Sequence, residues 1–369
     1  MGNRKGYGTM PLVFTFLSTY IGGWAVMEGI ACAFNYGIIG TLAYSGLFVF
    51  FVFMALFIAP KMIYFRDCLS LADVIRVLYG KNAQIVAGVL SMICCIWVVV
   101  FGLYVFGIFC SEILNVNPWL GIIISGYIVT LYTAHGGIKS VIVTDIIQFS
   151  TIFIVILLLA GLTVKQVGGF SGLFNALPNE KYEVLNHEKF SYYMTSFVSW
   201  SILFVCITDP PIFQRLLIAK NTINLKNQYI IVSFIDPIVR ISLMIIGLGA
   251  VILYPTVKPT YILPCVINSL SLSLVFKGIT MAGLLAVVMG CIDSYLHVAG
   301  VLLVNDIINP ILDYSSKEHK NFNFVRYGIF LIGAISITIA LRALQLLGIF
   351  YPGRVNPRSF TWNCSQHRT

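Results

Sequence analysis

Charge is scarce in this chain. Of its 369 residues only 10% are Asp, Glu, Lys or Arg, while 59% are hydrophobic. A soluble protein of this size needs more polar surface than that. The composition therefore reads as an all-α polytopic membrane protein lying in a lipid bilayer. Metal and redox motifs are also lacking. The nine cysteines, the adjacent Cys94 and Cys95 included, show no ligand spacing and read as small apolar residues. His135 and His297 have no nucleophile or metal-ligand companion at a useful spacing, which argues against an enzyme and against a bound cofactor. No trustworthy small-residue cleavage site follows MGNRKGYGTM, so no cleavable signal peptide is expected. The net charge of +9 is not gathered on one face. Nucleic acid is therefore not an expected partner, and the basic residues fit membrane orientation better.

What the chain does have is long apolar runs. Nine candidate spans lie at approximately 10–34, 40–64, 85–114, 118–134, 142–164, 191–209, 228–254, 278–303 and 326–350, each near or above the ~20 residues needed to cross a bilayer. Lys and Arg set the orientation. With the N-terminus in the cytoplasm, the inside segments carry Arg4, Lys5, Lys61, Arg66, Arg76, Lys81, Lys139, Arg215, Lys220, Lys226, Lys317, Lys320 and Arg326. The outside loops carry only Lys165, Lys181, Lys189, Lys258 and Lys277 before the tail.

Polar residues inside spans mark function by default, because a carboxylate at mid-membrane costs roughly 2.5–3.5 kcal/mol on insertion scales. The stretch 282–306 carries Asp293, Ser294 and His297 in an otherwise apolar helix and reads as one wall of an ion and solute pathway. In the first span Gly22-Gly23 interrupts the helix and Glu28 follows; a helix break and close packing through small residues are both open there. Gly136-Gly137 predicts a turn between the fourth and fifth spans, with Asp145 near the start of the fifth. Asp236 and Arg240, four apart, predict a pair on one helix face.

Three motifs resemble the sodium:solute symporter family. They are Gly136-Gly137 with Val141, Thr144, Asp145 and Gln148; Gln214-Arg215 with Ala219-Lys220; and Asp293-Ser294 with Asn305-Asp306. The resemblance implies a leucine-transporter-type inverted-repeat fold with its site at mid-membrane between broken helices. The spans then divide into a first five-helix repeat over 10–164 and an incomplete second repeat over 191–350, followed by an atypical tail, 351–369. The family's leading helix and its last core helices have no counterpart, so a shortened chain is expected. The family's sodium site implies backbone carbonyls near Ser18, Ile21 and Val287, and two hydroxyls at the positions of Gly290 and Cys291. Glycine has no side chain and cysteine offers soft sulfur, whereas sodium wants oxygen. Asp145 and Asp293 are the carboxylates at hand. For the solute, Gly22, Gly23 and Trp24 match the break in proline-type members, and Trp200 is a candidate wall.

Two functions stay open. The first is a secondary transporter in a cell membrane, with the bacterial inner membrane expected. It would couple sodium entry to uptake of a small organic solute such as proline. One charge crossing 100 mV yields ~2.3 kcal/mol, and a tenfold sodium gradient adds ~1.4 kcal/mol. One ion per solute therefore suffices. The second is a transport-inactive remnant of such a symporter, suggested by Gly290, Cys291 and the odd tail. Oligomeric state is not readable.

Overall fold

The computed structural model describes residues 6–65, 67–114, 116–183, 187–202, 209–257, 262–269, 274–312 and 318–346. Helices are α1 (Thr9–Tyr20), α2 (Gly23–Tyr36), α3 (Ile38–Met62), α4 (Leu71–Tyr79), α5 (Lys81–Leu114), α6 (Pro118–Gln166) and α7 (Gly169–Ala176). They continue as α8 (His187–Ile202), α9 (Pro210–Leu217), α10 (Thr222–Leu253), α11 (Ile262–Ser269), α12 (Leu274–Val301) and α13 (Glu318–Leu346). The helical path of α12 runs on to Ile311 through π turns at Leu302–Ile308.

Among the described residues six helices are long and apolar enough to cross a membrane, and α1 with α2 forms a further span bent by 59°. The bend falls at the predicted glycine pair. Ile21 caps α1, Gly22 is extended and α2 starts at Gly23. The glycines also permit close packing. A Cβ on Gly22 would overlap Cys291 Sγ, and one on Gly23 would lie 2.5 Å from Val288 Cγ2. Both expectations for this pair, a break and a close approach, therefore hold together.

The 49 residues of α6 would be about 70 Å long as one straight helix, over twice the ~30 Å hydrocarbon core. Gly137 divides it, with φ of 58° and ψ of −157°. That conformation suits glycine. The two predicted spans at 118–134 and 142–164 lie on either side. The predicted sixth span, 191–209, begins in α8, and 203–208 lie outside the described residues, as do the end of the last span after 346 and the tail.

The sequence puts 212–221 and Arg215 on the inside without assigning them structure; in the structure Pro210–Leu217 forms a helix with every residue through Leu216 buried, packed on α1 and α12. Asp209 starts it: its side chain accepts from Ile212 N at 3.1 Å, and Pro210-Pro211 suit the first helical turn. Arg215 accordingly is no solvated orientation charge. It is 3% exposed and points into the bundle.

At the core, α12 packs against α5, α6 and α13, while α10 packs against α1, α2, α3 and α6. Lipid-facing surface is apolar, as at Trp97, Ile93, Ile124, Ile147 and Phe234. Both ends of the first span are tied down. Tyr7 exchanges backbone hydrogen bonds of 3.0 Å with Ile218 and Lys220, and Lys181 Nζ donates to the Phe34 and Asn35 carbonyls at 2.6 and 2.7 Å. The latter satisfies carbonyls left free at the end of α2.

Gly22→Ala is expected to lower stability by about 1–3 kcal/mol through overpacking. Cys291→Ala should recover part of that loss, because the two sites touch. Thermal melting of the single and double variants in detergent checks this; additive losses would contradict the close approach.

Candidate functional site

The end of α1 meets the second half of α6, α9 and α12 in a buried polar layer. Arg215 of α9 is its hub. Nη2 lies 3.3 Å from Asp145 Oδ2 and donates to Ser294 Oγ at 2.6 Å, Nε donates to Thr15 Oγ1 at 3.3 Å, and Nη1 donates to the Pro211 carbonyl at 2.8 Å. Thr15 Oγ1 donates to the same Asp145 oxygen, and Thr19 Oγ1 pairs with Ser294 Oγ at 3.0 Å. Asp145 is fully buried. An ion of either sign is costly there, and the pair survives because each group has several partners.

Above this pair the polar groups are under-satisfied. Asp293, also fully buried, accepts on Oδ2 from Tyr132 Oη at 2.8 Å and Thr144 Oγ1 at 3.2 Å. Its Oδ1 has no partner, and neither do Asp145 Oδ1, Ser18 Oγ and Gln148 Oε1. Gly290 ties two of these to one place: a Cβ built on it would lie 2.6 Å from both Ser18 Oγ and Gln148 Oε1. Ser18 stands beside the Asp145 carboxylate. No guanidinium or ammonium contacts Asp293 among the described residues, so an ionised Asp293 would have only hydroxyl donors around it. Asp209 is separately held, by the start of α9 and by Tyr295 Oη. Buried oxygens without donors are expensive, and they are the groups a cation would satisfy.

Of the residues expected from the sequence, Ser18 and Gly290 are in contact, Ser18 adjoins the Asp145 carboxylate, and Asp145 and Asp293 interact with each other. Cys291 is turned away from oxygen chemistry: Sγ donates to the Thr19 carbonyl at 3.1 Å and covers Gly22. Ile21 and Val287 are buried, Ile21 at the end of α1 and Val287 one turn before Cys291 on α12. Gly22 and Gly23 face α12. The Trp24 and Trp200 side chains lie outside the described residues.

The sequence reading missed Thr15, Thr19, Tyr132, Gln148 and Arg215 as members; it places Ser294 in the pathway wall. One signal was present: Thr144 and Gln148 are one turn apart and so share a face. Motif residue Asp306 lies elsewhere, fully buried and accepting from Gln84 Nε2 at 2.9 Å.

The sequence profile of the sodium:solute symporter family matches residues 2–351. The chain belongs to the sodium:solute symporter family. Similar curated proteins include sodium/myo-inositol cotransporter 2 of Oryctolagus cuniculus, 24% identical over 74% of this chain and 46% of that one. Another is the osmoregulated proline transporter OpuE of Bacillus subtilis (strain 168), 20% identical over 95% of this chain and 74% of that one. The chain spans about half the length or less of the mammalian relatives it matches.

Among solved structures, a Na+-coupled sialic acid symporter in a substrate-bound outward-open state superposes with a TM-score of 0.82. It has 16% identity, covering 92% of this chain and 75% of that one. MhsT in complex with L-phenylalanine gives 0.67 at 15% identity, over 92% and 81%. The fold is thus the leucine-transporter type, and this symporter-family chain is a multi-pass membrane protein rather than an enzyme.

Arg215→Met should destabilise the protein by about 3–5 kcal/mol, since it strands a buried carboxylate. Adding Asp145→Asn should restore most of that. Chemical unfolding in detergent distinguishes this from independent effects, in which the double variant is the worse of the two.

Proposed function

We propose that the protein couples entry of sodium to uptake of a small organic solute, with the cation held above Gly290. The observation that carries this reading is a set of four buried oxygens without hydrogen-bond partners, from Ser18, Asp145, Gln148 and Asp293, two of which, Ser18 Oγ and Gln148 Oε1, meet at Gly290. Sodium is hard and favours such oxygens. Carbonyls at the end of α1, near Ser18 and Ile21, and that of Val287 on α12 would complete the shell, since a helix end leaves carbonyls free. On this reading Gly290 is a place that Ser18 and Gln148 fill, and Cys291 is packing. The oxygens supplied by those neighbours support a working site over a transport-inactive remnant.

The solute would sit at the break between α1 and α2, beside Gly22, Gly23 and Trp24, with Trp200 a candidate wall. A proline-like amino acid fits the likeness to OpuE. The halves 10–164 and 191–350 would be the two inverted repeats that rock about this site, with 351–369 as a tail. The Lys and Arg distribution supports an N-terminus in the cytoplasm, even with Arg215 removed from it.

Sodium chloride is expected to raise the melting temperature of the purified protein, and potassium chloride at equal strength is not. Gln148→Ala and Ser18→Ala should each raise the half-saturating sodium concentration about tenfold, a loss of ~1.4 kcal/mol. Labelled proline uptake into proteoliposomes should require the sodium gradient. Equal melting and uptake in sodium and potassium would remove the coupling.

A further inference from the structure

A second buried charged cluster lies near the same helix break, among α1, α2, α3 and α10. Arg240 of α10 is held on two of its nitrogens and on its face. Its Nε is 3.3 Å from Asp236 Oδ1, its Nη2 donates to Tyr20 Oη at 2.8 Å, and its guanidinium carbon sits 4.1 Å from the centroid of the Tyr44 ring. Glu28, on α2 just past the break, faces the Tyr44 hydroxyl and feels the Arg240 charge at a distance. Its Oε2 is buried and accepts no hydrogen bond. Two carboxylates share one guanidinium here, so with both ionised the cluster would be one positive charge short, and Glu28 is the carboxylate that Arg240 does not contact. Aromatic rings continue outward from there: Cys32 Sγ lies 3.6 Å from both Tyr44 Oη and Tyr192 Oη, and Tyr192 stacks on Tyr36 at 4.2 Å. An unpaired carboxylate beside aromatic faces is the environment that recognises a positively charged nitrogen.

We propose that Glu28 is a solute-binding residue and that the transported solute carries a protonated or quaternary nitrogen, which pairs with its free carboxylate oxygen between Tyr20 and Tyr44. This rests on the transport reading above and narrows it. Uncharged polyols of the kind named for the mammalian relatives would leave the charge unmet. Asp236 and Tyr20 already engage two nitrogens of Arg240, so the group left without a charged partner is Glu28.

The test measures thermal stabilisation of the full chain in sodium-containing nanodiscs by proline, lysine and choline, against myo-inositol and glucose. At least one nitrogen solute should stabilise the wild type and the polyols should not. Glu28→Gln should weaken that nitrogen solute at least tenfold, and Glu28→Asp should fall between, while the separate sodium-induced shift is kept in both. Stabilisation by a polyol alone, by none of the nitrogen solutes, or to an equal extent in Glu28→Gln overturns the proposal. The wild-type panel decides the matter even where a variant fails to fold. Loss of the sodium shift in the wild type would instead sink the coupling reading, so the two failures are distinguishable.

Discussion

The buried pair of Arg215 and Asp145 is the constraint on which the centre of the molecule depends. It joins α9 to α6, and through Thr15 and Ser294 it also fixes α1 and α12. Two charges in a membrane interior are costly unless hydrogen-bonded on several sides. That cost dictates local structure. Helix α9 has to lie inside the bundle so that Arg215 can reach Asp145, and the Asp209 cap followed by Pro210-Pro211 starts that helix where it must begin.

What the pair leaves undone is as important as what it does. One guanidinium balances one carboxylate, and Asp293 remains with hydroxyl donors on only one oxygen. Ser18 and Gln148 turn their oxygens into the space over Gly290. A structural ion pair thus sits beside buried oxygens that lack hydrogen-bond donors, and the proposed ion would lie among them. A monovalent cation bound there would link α1, α6 and α12, and so couple a binding event to the relative position of the helices that close a path. The second cluster, around Glu28 and Arg240, repeats this pattern on the α10 side of the break: an arginine paired with one carboxylate, and a second carboxylate with one oxygen free.

Much of the fold was legible because its signals are local. Apolar runs gave the spans, Gly22-Gly23 and Gly136-Gly137 gave the breaks, and the four-residue spacing of Asp236 and Arg240 gave their pair. The site was legible only in part. A basic residue after two prolines reads as an orientation charge, and nothing near Arg215 in sequence reveals that its partner is Asp145. Gly290 was judged by the side chain it lacks, whereas its meaning comes from Ser18 and Gln148, which reach it from other helices. Glu28 looked like one more residue beyond a break. Its unmet carboxylate depends on how Asp236 and Tyr20 occupy Arg240.

The most direct measurement is an anomalous difference map from crystals in which thallium replaces sodium. The account expects one ion peak bounded by Ser18 Oγ, Gln148 Oε1 and the carboxylates of Asp145 and Asp293, over the Cα of Gly290. No ion peak in such crystals, with Gln148 Oε1 and Asp293 Oδ1 hydrogen-bonded to protein instead, would contradict it.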